Sequence, residues 1–392
     1  MSNNSAIGIH DLSFATTEYV LPHKALAEYN GTEIGKYHIG IGQQSMSVPA
    51  ADEDIVTLGA SAAAPIIARH GNERIRTVVF ATESSIDQAK SAGIYVHSLL
   101  GLQSACRVVE LKQACYGATA ALQFAIGLVR RDPDQQVLVI ASDVSKYELD
   151  SPGEATQGAA AVAILVSADP ALVRIENASG LFTADVMDFW RPNYRDAALV
   201  DGQESVNAYL QAVEGSWKDY GQQGGRALED FAAFCYHQPF TKMAYKAHRH
   251  LLNYSGLVDT DKSDIERAIG QTVAYNAVIG NSYTASVYLG LAALLDQAED
   301  LTDRPIGFLS YGSGSVAEFF AGTVVPGYQH HLRTEANLAS IARRKPVDYA
   351  TYRELHERSF PADGGDHPTP EQTSGRFRLA GLSGHKRIYQ TR

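Results

Sequence analysis

The chain has 392 residues, with 33 Lys and Arg against 44 Asp and Glu and a formal net charge of −11. That length suits two domains with ample core, and the acidic balance argues against a nucleic-acid partner or a polybasic membrane patch. Cys106, Cys115 and Cys235 form neither a disulfide framework nor the paired spacing of a zinc site. Met1–His10 lacks a signal-peptide pattern, and no apolar run is long enough to span a bilayer. The expectation is a reduced, cytoplasmic protein without metal.

Along the chain, Ile75–Thr82 reads as a strand that ends at Glu83. Arg107–Leu111 is a further extended run that leads to Cys115, after which Ala118–Val129 reads as a buried helix. Gln136–Asp143 and Gly158–Val166 are two more strands, the second apolar throughout, as expected where both faces are covered. The second half repeats the order. Phe231–Tyr236 runs into His237, Gly280–Tyr283 opens an apolar helix over Thr284–Leu295, Pro305–Tyr311 ends in Gly312-Ser313-Gly314, and Val316–Val325 closes the set. The alternation predicts an α/β architecture. The repeat divides it into residues 1–172, carrying Glu83 and Cys115, and residues 173–392, carrying His237, Asn281 and Ser313.

Glu83 and His237 end the first strands of the two halves, while Cys115 and Asn281 open the two buried helices. Packed about a pseudo-twofold axis, the halves would bring all four together at the carboxyl ends of strands, where α/β folds bind ligands. A thiol at a helix N-terminus is expected to have a stabilised thiolate and a lowered pKa; the plainer reading is a buried structural cysteine. Lys242 and Lys246 lie four residues apart after Pro239, so one helix face would present both, either to a phosphate or simply to solvent. The Gly312–Ser315 loop lacks the lysine of a nucleotide cradle. His248, His250, His330 and His331 read as surface residues.

Six stretches carry a family resemblance: Glu33–Gln43, Ala81–Asp87, Lys112–Gly117, His237–Met243, Gly280–Ser286 and Ser310–Gly314. In this order they resemble the bacterial 3-hydroxy-3-methylglutaryl-CoA (HMG-CoA) synthases, condensing enzymes of the thiolase superfamily. The resemblance implies a thiolase-like five-layer αβαβα fold of two duplicated halves, in a cytoplasmic homodimer. It implies an acyltransferase of the mevalonate route to isoprenoids that condenses acetyl-CoA with acetoacetyl-CoA and water, with no cofactor beyond its CoA-thioester substrates. Position by position, it makes Cys115 the acetylated nucleophile, Glu83 the general acid/base and His237 the residue that positions acetoacetyl-CoA. Asn281 and Ser313 would line the acyl site, with Tyr147 near the thioester. Thr156, Ser205, Lys242, Lys246 and Phe189 would contact substrate, although Trp190 is less usual after Phe189.

Two alternatives share the scaffold: an HMG synthase-like enzyme that branches carrier-bound polyketides, and a ketoacyl synthase III-like enzyme. The decarboxylating synthases have no need of a glutamate such as Glu83. A carrier protein, itself acidic, would need a basic docking surface, and outside Arg343-Arg344-Lys345 the sequence shows no basic cluster. A non-catalytic scaffold subunit would be expected to lose Cys115 or Glu83.

Overall fold

Two strands not anticipated from the sequence join the halves. Ile7–Thr16 (β1) and Val173–Thr183 (β6) each open one half and pair antiparallel with each other at Gly8 and Ile9. The computed structural model describes residues 6–392, so Met1–Ser5, where the signal-peptide reading begins, lie outside the described residues. In the first half follow β2 (Ile75–Ala81), β3 (Arg107–Leu111), β4 (Gln136–Val144) and β5 (Ala159–Ala168). In the second follow β7 (Ala233–Tyr236), β8 (Pro305–Gly312) and β9 (Val316–Val324). All belong to one sheet of order β7-β8-β9-β6-β1-β5-β4-β2-β3.

The order makes the duplication explicit. β2 runs parallel to β4, which is antiparallel to β5; β7 runs parallel to β8, which is antiparallel to β9. β2 and β7 therefore correspond, and Glu83 and His237 follow second strands rather than first ones, because β1 and β6 precede them. One departure breaks the symmetry. β3 has no counterpart among the described residues: the chain before Asn281 is the short helix Ala274–Ile279.

Helices complete five layers. Helix α1 (Ile55–His70) packs its Val56, Ala60 and Ala63 with Phe80 and Leu138 on the outer face of the first half. Helix α2 (Gly117–Arg131) belongs to the central layer. Helices α3 (Gly202–Gln222) and α4 (Thr241–Tyr254) cover the outer face of the second half through Tyr209, Val213, Met243 and Ala247. Between the half-sheets lie α2 and α5 (Ser286–Gln297), in one core with Val79 and Val139 on one side and Ile306 and Phe320 on the other. A helix enclosed between two sheets must be apolar over most of its surface, and from Val287 to Leu295 every residue of α5 is buried. α5 starts at Ser286 rather than Thr284 because Tyr283–Ala285 forms a single 3₁₀ turn. No helix among the described residues is long and apolar enough to cross a membrane.

Candidate active site

Where β2 ends, the chain is tied down by a carboxylate on the neighbouring strand β4. Asp143, fully buried, accepts at Oδ1 from the Thr82 hydroxyl (2.7 Å), the Glu83 N–H (2.9 Å), the Ser84 N–H (3.0 Å) and the Ser84 hydroxyl (2.6 Å). Its Oδ2 accepts from the N–H and hydroxyl of Thr284, at 3.1 and 2.5 Å, so one side chain clamps Glu83 and the entrance of α5. The Glu83 carboxyl then meets the Cys115 thiol, which donates to Oε1 at 2.8 Å. Burial and the Asp143 charge push the Glu83 carboxyl up to about 8, against the Cys115 hydrogen bond and Arg191. Arg191 donates to the Glu83 carbonyl at 2.7 Å.

The expected lowering of the cysteine pKa is overturned. Burial, then Glu83, Asp143 and Asp188, raise the Cys115 thiol well above its ordinary value, and together they outweigh the helix end. The thiol is 7 % exposed and has a base in hydrogen-bond contact, so it can react by handing its proton to Glu83 rather than by standing as a thiolate. Ala114, just before it, has φ of 43°, a left-handed conformation unusual for a residue with a Cβ, which turns the chain sharply into the helix.

The second half mirrors this turn, with φ of 49° at Tyr283. Gly280 (φ 89°) lies so close to the first half that an added Cβ would stand 1.9 Å from the Gln157 carbonyl. That approach lets the Asn281 N–H donate to the Thr156 carbonyl at 3.0 Å. The Asn281 side chain turns back to accept from the Tyr283 N–H at 2.9 Å, and the Thr156 hydroxyl donates to the Gly153 carbonyl at 2.7 Å. His237 is buried at the end of β7, its N–H donating to the Leu309 carbonyl (2.9 Å) and its carbonyl accepting from the Tyr209 hydroxyl (2.8 Å). The Tyr209 ring stacks on the imidazole, with centroids 6.3 Å apart. Burial drives His237 down to about 3, leaving it neutral, and its Nδ1 has no partner among the described residues.

Tyr147, Phe189 and Tyr283 pack edge to face, at 6.1 and 5.8 Å, and form an aromatic wall. Tyr147 lies near both Cys115 and Glu83: after burial, their charges are the next influences raising its pKa. The Ser313 carbonyl accepts from Gln113 Nε2 at 3.2 Å, which ties the loop after β8 to the Cys115 loop. Asp188 fixes that loop too, accepting from the Tyr311 hydroxyl (2.8 Å) and the Gly314 N–H (2.9 Å). Glu83, Phe189, Tyr283 and Ser313 line a cleft of about 1040 Å³.

Of the eleven expected residues, Glu83, Phe189 and Ser313 line that cleft; Cys115, Tyr147, Thr156, His237 and Asn281 do not, and neither do Ser205, Lys242 and Lys246. Ser205 is half-buried in the first turn of α3, while Lys242 and Lys246 lie on α4 with their ammonium groups 5.6 Å from the Tyr245 and Phe240 rings. Around Lys242 the chain packs tightly on Gly42, where a Cβ would come within 3.3 Å. The cleft has its own cations instead: Lys90, Lys112, Lys146, Arg191 and Arg195. No run in the sequence announces them; the fold collects them from separate loops. The Arg343–Lys345 run, in contrast, is no docking patch, since Arg344 turns inward to the Val278 carbonyl (2.9 Å) and Lys345 pairs with Glu18. His248 is likewise not a surface residue: it is buried, with Nδ1 3.0 Å from the Tyr236 hydroxyl. Sequence alone assigns no role to Asp143, Asp188, Arg191 or Tyr209: Asp188 and Arg191 flank Phe189 in a family-like segment, but what each side chain holds is decided only by folding.

Comparison with known proteins decides the family. The model for "hydroxymethylglutaryl-coenzyme A synthase N terminal" matches residues 3–171, and that for the C terminal matches residues 173–275 and 255–360. The chain is 41 % identical to hydroxymethylglutaryl-CoA synthase of Enterococcus faecalis over 358 residues, 91 % of this chain and 93 % of that protein. The chain belongs to the hydroxymethylglutaryl-CoA synthase family. Its activity is that of an acyl-transferring condensing enzyme, and its fold is the thiolase-like fold of that family. A crystal structure of an HMG-CoA synthase complexed with CoA superimposes with a TM-score of 0.93 at 39 % identity, covering 98 % of this chain and all of the other. The polyketide 3-hydroxy-3-methylglutaryl-ACP synthase PksG of Bacillus subtilis is less similar, at 32 % identity over 88 % of this chain and 86 % of that protein.

Proposed function

We propose that the chain condenses acetyl-CoA with acetoacetyl-CoA and water to HMG-CoA and CoA through an acetyl thioester on Cys115, as a cytoplasmic homodimer of the mevalonate route. The observation that carries this reading is the 2.8 Å contact between the Cys115 thiol and Glu83, inside a site assembled from both halves. As the sulfur attacks acetyl-CoA, its proton passes to the Glu83 carboxylate and then to the departing CoA thiolate. Glu83, ionised again, takes a proton from the acetyl methyl, and the resulting carbanion attacks the ketone of acetoacetyl-CoA. The alkoxide recovers that proton from Glu83, and water then cleaves the thioester to Cys115.

A neutral His237 suits the second step. It can donate a hydrogen bond to the ketone, fixing its orientation, without competing for the proton that Glu83 carries. The Gly314 N–H is engaged by Asp188, so the Cys115 and Ser313 N–H groups are the candidates to stabilise charge on the thioester oxygen. Tyr147, Phe189, Asn281 and Thr156 would shape the acyl pocket. Lys242 and Lys246, with Ser205, would meet the CoA moiety on a path separate from the cleft at Glu83. The steps are acyl transfer, proton transfer, carbon–carbon bond formation and hydrolysis, none of which changes the net oxidation level, so the CoA thioesters are substrates and no cofactor is called for. Dimerisation is supported by β3, which ends the sheet with its outer edge unpaired among the described residues and leaves Val109 39 % exposed.

The test is turnover by the purified protein, with HMG-CoA identified by mass spectrometry and molar mass measured by light scattering. HMG-CoA formed from the two CoA thioesters by a particle of twice the chain mass supports the reading. A marked preference for acetyl loaded on a carrier protein over acetyl-CoA would overturn the choice of donor.

A further inference from the structure

A second pocket, of about 280 Å³, lies behind the active-site loop, between α1, the Ser84 turn and the C-terminal segment. Its floor is apolar, formed by Met46, Val48, Ile55, Ile86, Leu355 and Leu379. Its rim is basic, with Lys146, Arg191, Arg358 and Arg387. Lys146 and Arg191 are shared with the cleft at Glu83, while Arg358 and Arg387 belong to this pocket. Two acids line the same pocket, and neither cancels the basic rim. Asp54 is already committed to the N–H groups of Val56 and Thr57 at the start of α1 and to Arg387 at 3.2 Å. Glu53 accepts from the N–H groups of Glu18 and Ala50, and burial pushes its carboxyl up to about 8. Lys146 and Arg358 are hydrogen-bonded to no carboxylate among the described residues; burial lowers the pKa of both, opposed in part by the charges of Asp196 and Asp52.

We propose that this pocket is a ligand site distinct from the thioester site, built for a small amphipathic phosphate monoester whose apolar chain rests on the floor and whose phosphate is held by Lys146, Arg191 and Arg358. Guanidinium groups match phosphate oxygens in bidentate geometry, and a dianion would give cations that no carboxylate hydrogen-bonds a direct partner. The site also has a route to the chemistry. Lys146 and Arg191 line both this pocket and the cleft at Glu83, and Arg191 is the group that holds the Glu83 carbonyl at 2.7 Å. A phosphate that recruits Arg191 weakens that hold, so occupancy lowers turnover without competing with acetyl-CoA. This coupling rests on the proposed role of Glu83; the binding itself does not.

The experiment is calorimetric titration of the full-length protein with n-hexyl phosphate, in the absence of thioesters. Inorganic phosphate and 1-hexanol serve as the two half-ligands. Hexyl phosphate should bind at least about tenfold more tightly than either half, and Arg358→Glu should weaken it by at least about tenfold. Phe360→Ala, which removes the ring beside Arg358 and Arg387, should also weaken it while keeping the parent circular dichroism spectrum. Equal binding of inorganic phosphate and hexyl phosphate would overturn the proposal. So would undiminished binding to Arg358→Glu, or loss of binding only in Lys242→Ala/Lys246→Ala, which would place the phosphate at the proposed CoA path instead. Because binding is read without turnover, failure of the condensation mechanism would leave this result standing.

Discussion

The residue that ends β2 and the residue that opens α2 are an acid and a thiol, and burial and neighbouring carboxylates push both pKa values upward. The residues that the second half brings to the same site, His237 and Asn281, carry no charge, and burial pulls the imidazole down. The same strand–turn–helix frame thus serves two tasks. The first half keeps protons mobile between Glu83 and Cys115, while the second offers fixed, neutral hydrogen-bonding groups that need no proton exchange of their own. Asp143 links the two, since it holds Glu83 on one side and Thr284 on the other. The comparison teaches that duplication supplied the geometry, and local charge supplied the division of labour.

Breaking the first half should cost most. Glu83→Ala should lower the condensation rate by about 10²–10⁴-fold, the usual contribution of a positioned acid/base. It should still form an acetyl-enzyme, more slowly than the parent, because the mutation removes the proton acceptor of Cys115 but also the negative charge that opposes a thiolate. Single-turnover assays that separate acetylation from condensation check this; near-normal condensation would require another base. In the parent enzyme Glu83 acts as base only when ionised, and its carboxyl is raised to about 8. kcat/KM should therefore rise with pH below about 8 and level off above it, and Glu83→Gln should abolish that limb.

Breaking the second half should cost less and show differently. His237→Ala should weaken acetoacetyl-CoA by roughly tenfold, the worth of about one hydrogen bond, and leave acetylation measurable. Steady-state KM for each thioester checks this, and a selective loss of acetylation would contradict the division. Smaller still is the effect of Lys242→Ala/Lys246→Ala, which should raise apparent KM for the CoA thioesters severalfold. Lys246 is exposed, so that difference should shrink with added salt. Least of all, Cys235→Ala should leave acetylation intact and lower unfolding stability by about 1 kcal/mol, measured by denaturant titration. Cys235 is as buried as a thiol can be, but nothing except burial acts on it.

The sequence made the site's ends legible because apolar runs that stop at a polar residue are local signals. Glu83 after Ile75–Ala81 and His237 after Ala233–Tyr236 are of this kind. It missed β1 and β6, where Asp11, Ser13, Arg174 and Glu176 interrupt the apolar pattern, and so it misnumbered the strands. It also misjudged the cysteine. A helix N-terminus can be read along the chain, but the carboxylates of Asp143 and Asp188 that surround the thiol are brought there only by folding. The basic lining of the cleft, drawn from Lys90, Lys112, Lys146, Arg191 and Arg195, was invisible for the same reason.

The most direct test of the division is intact-mass analysis of the protein after incubation with acetyl-CoA alone, followed by peptide mapping, in parent, Cys115→Ala and His237→Ala forms. The account predicts one acetyl group on Cys115 in the parent and in His237→Ala, and none in Cys115→Ala. Acetylation at Cys106 or Cys235 with Cys115→Ala still active, or failure of His237→Ala to acetylate, would contradict it.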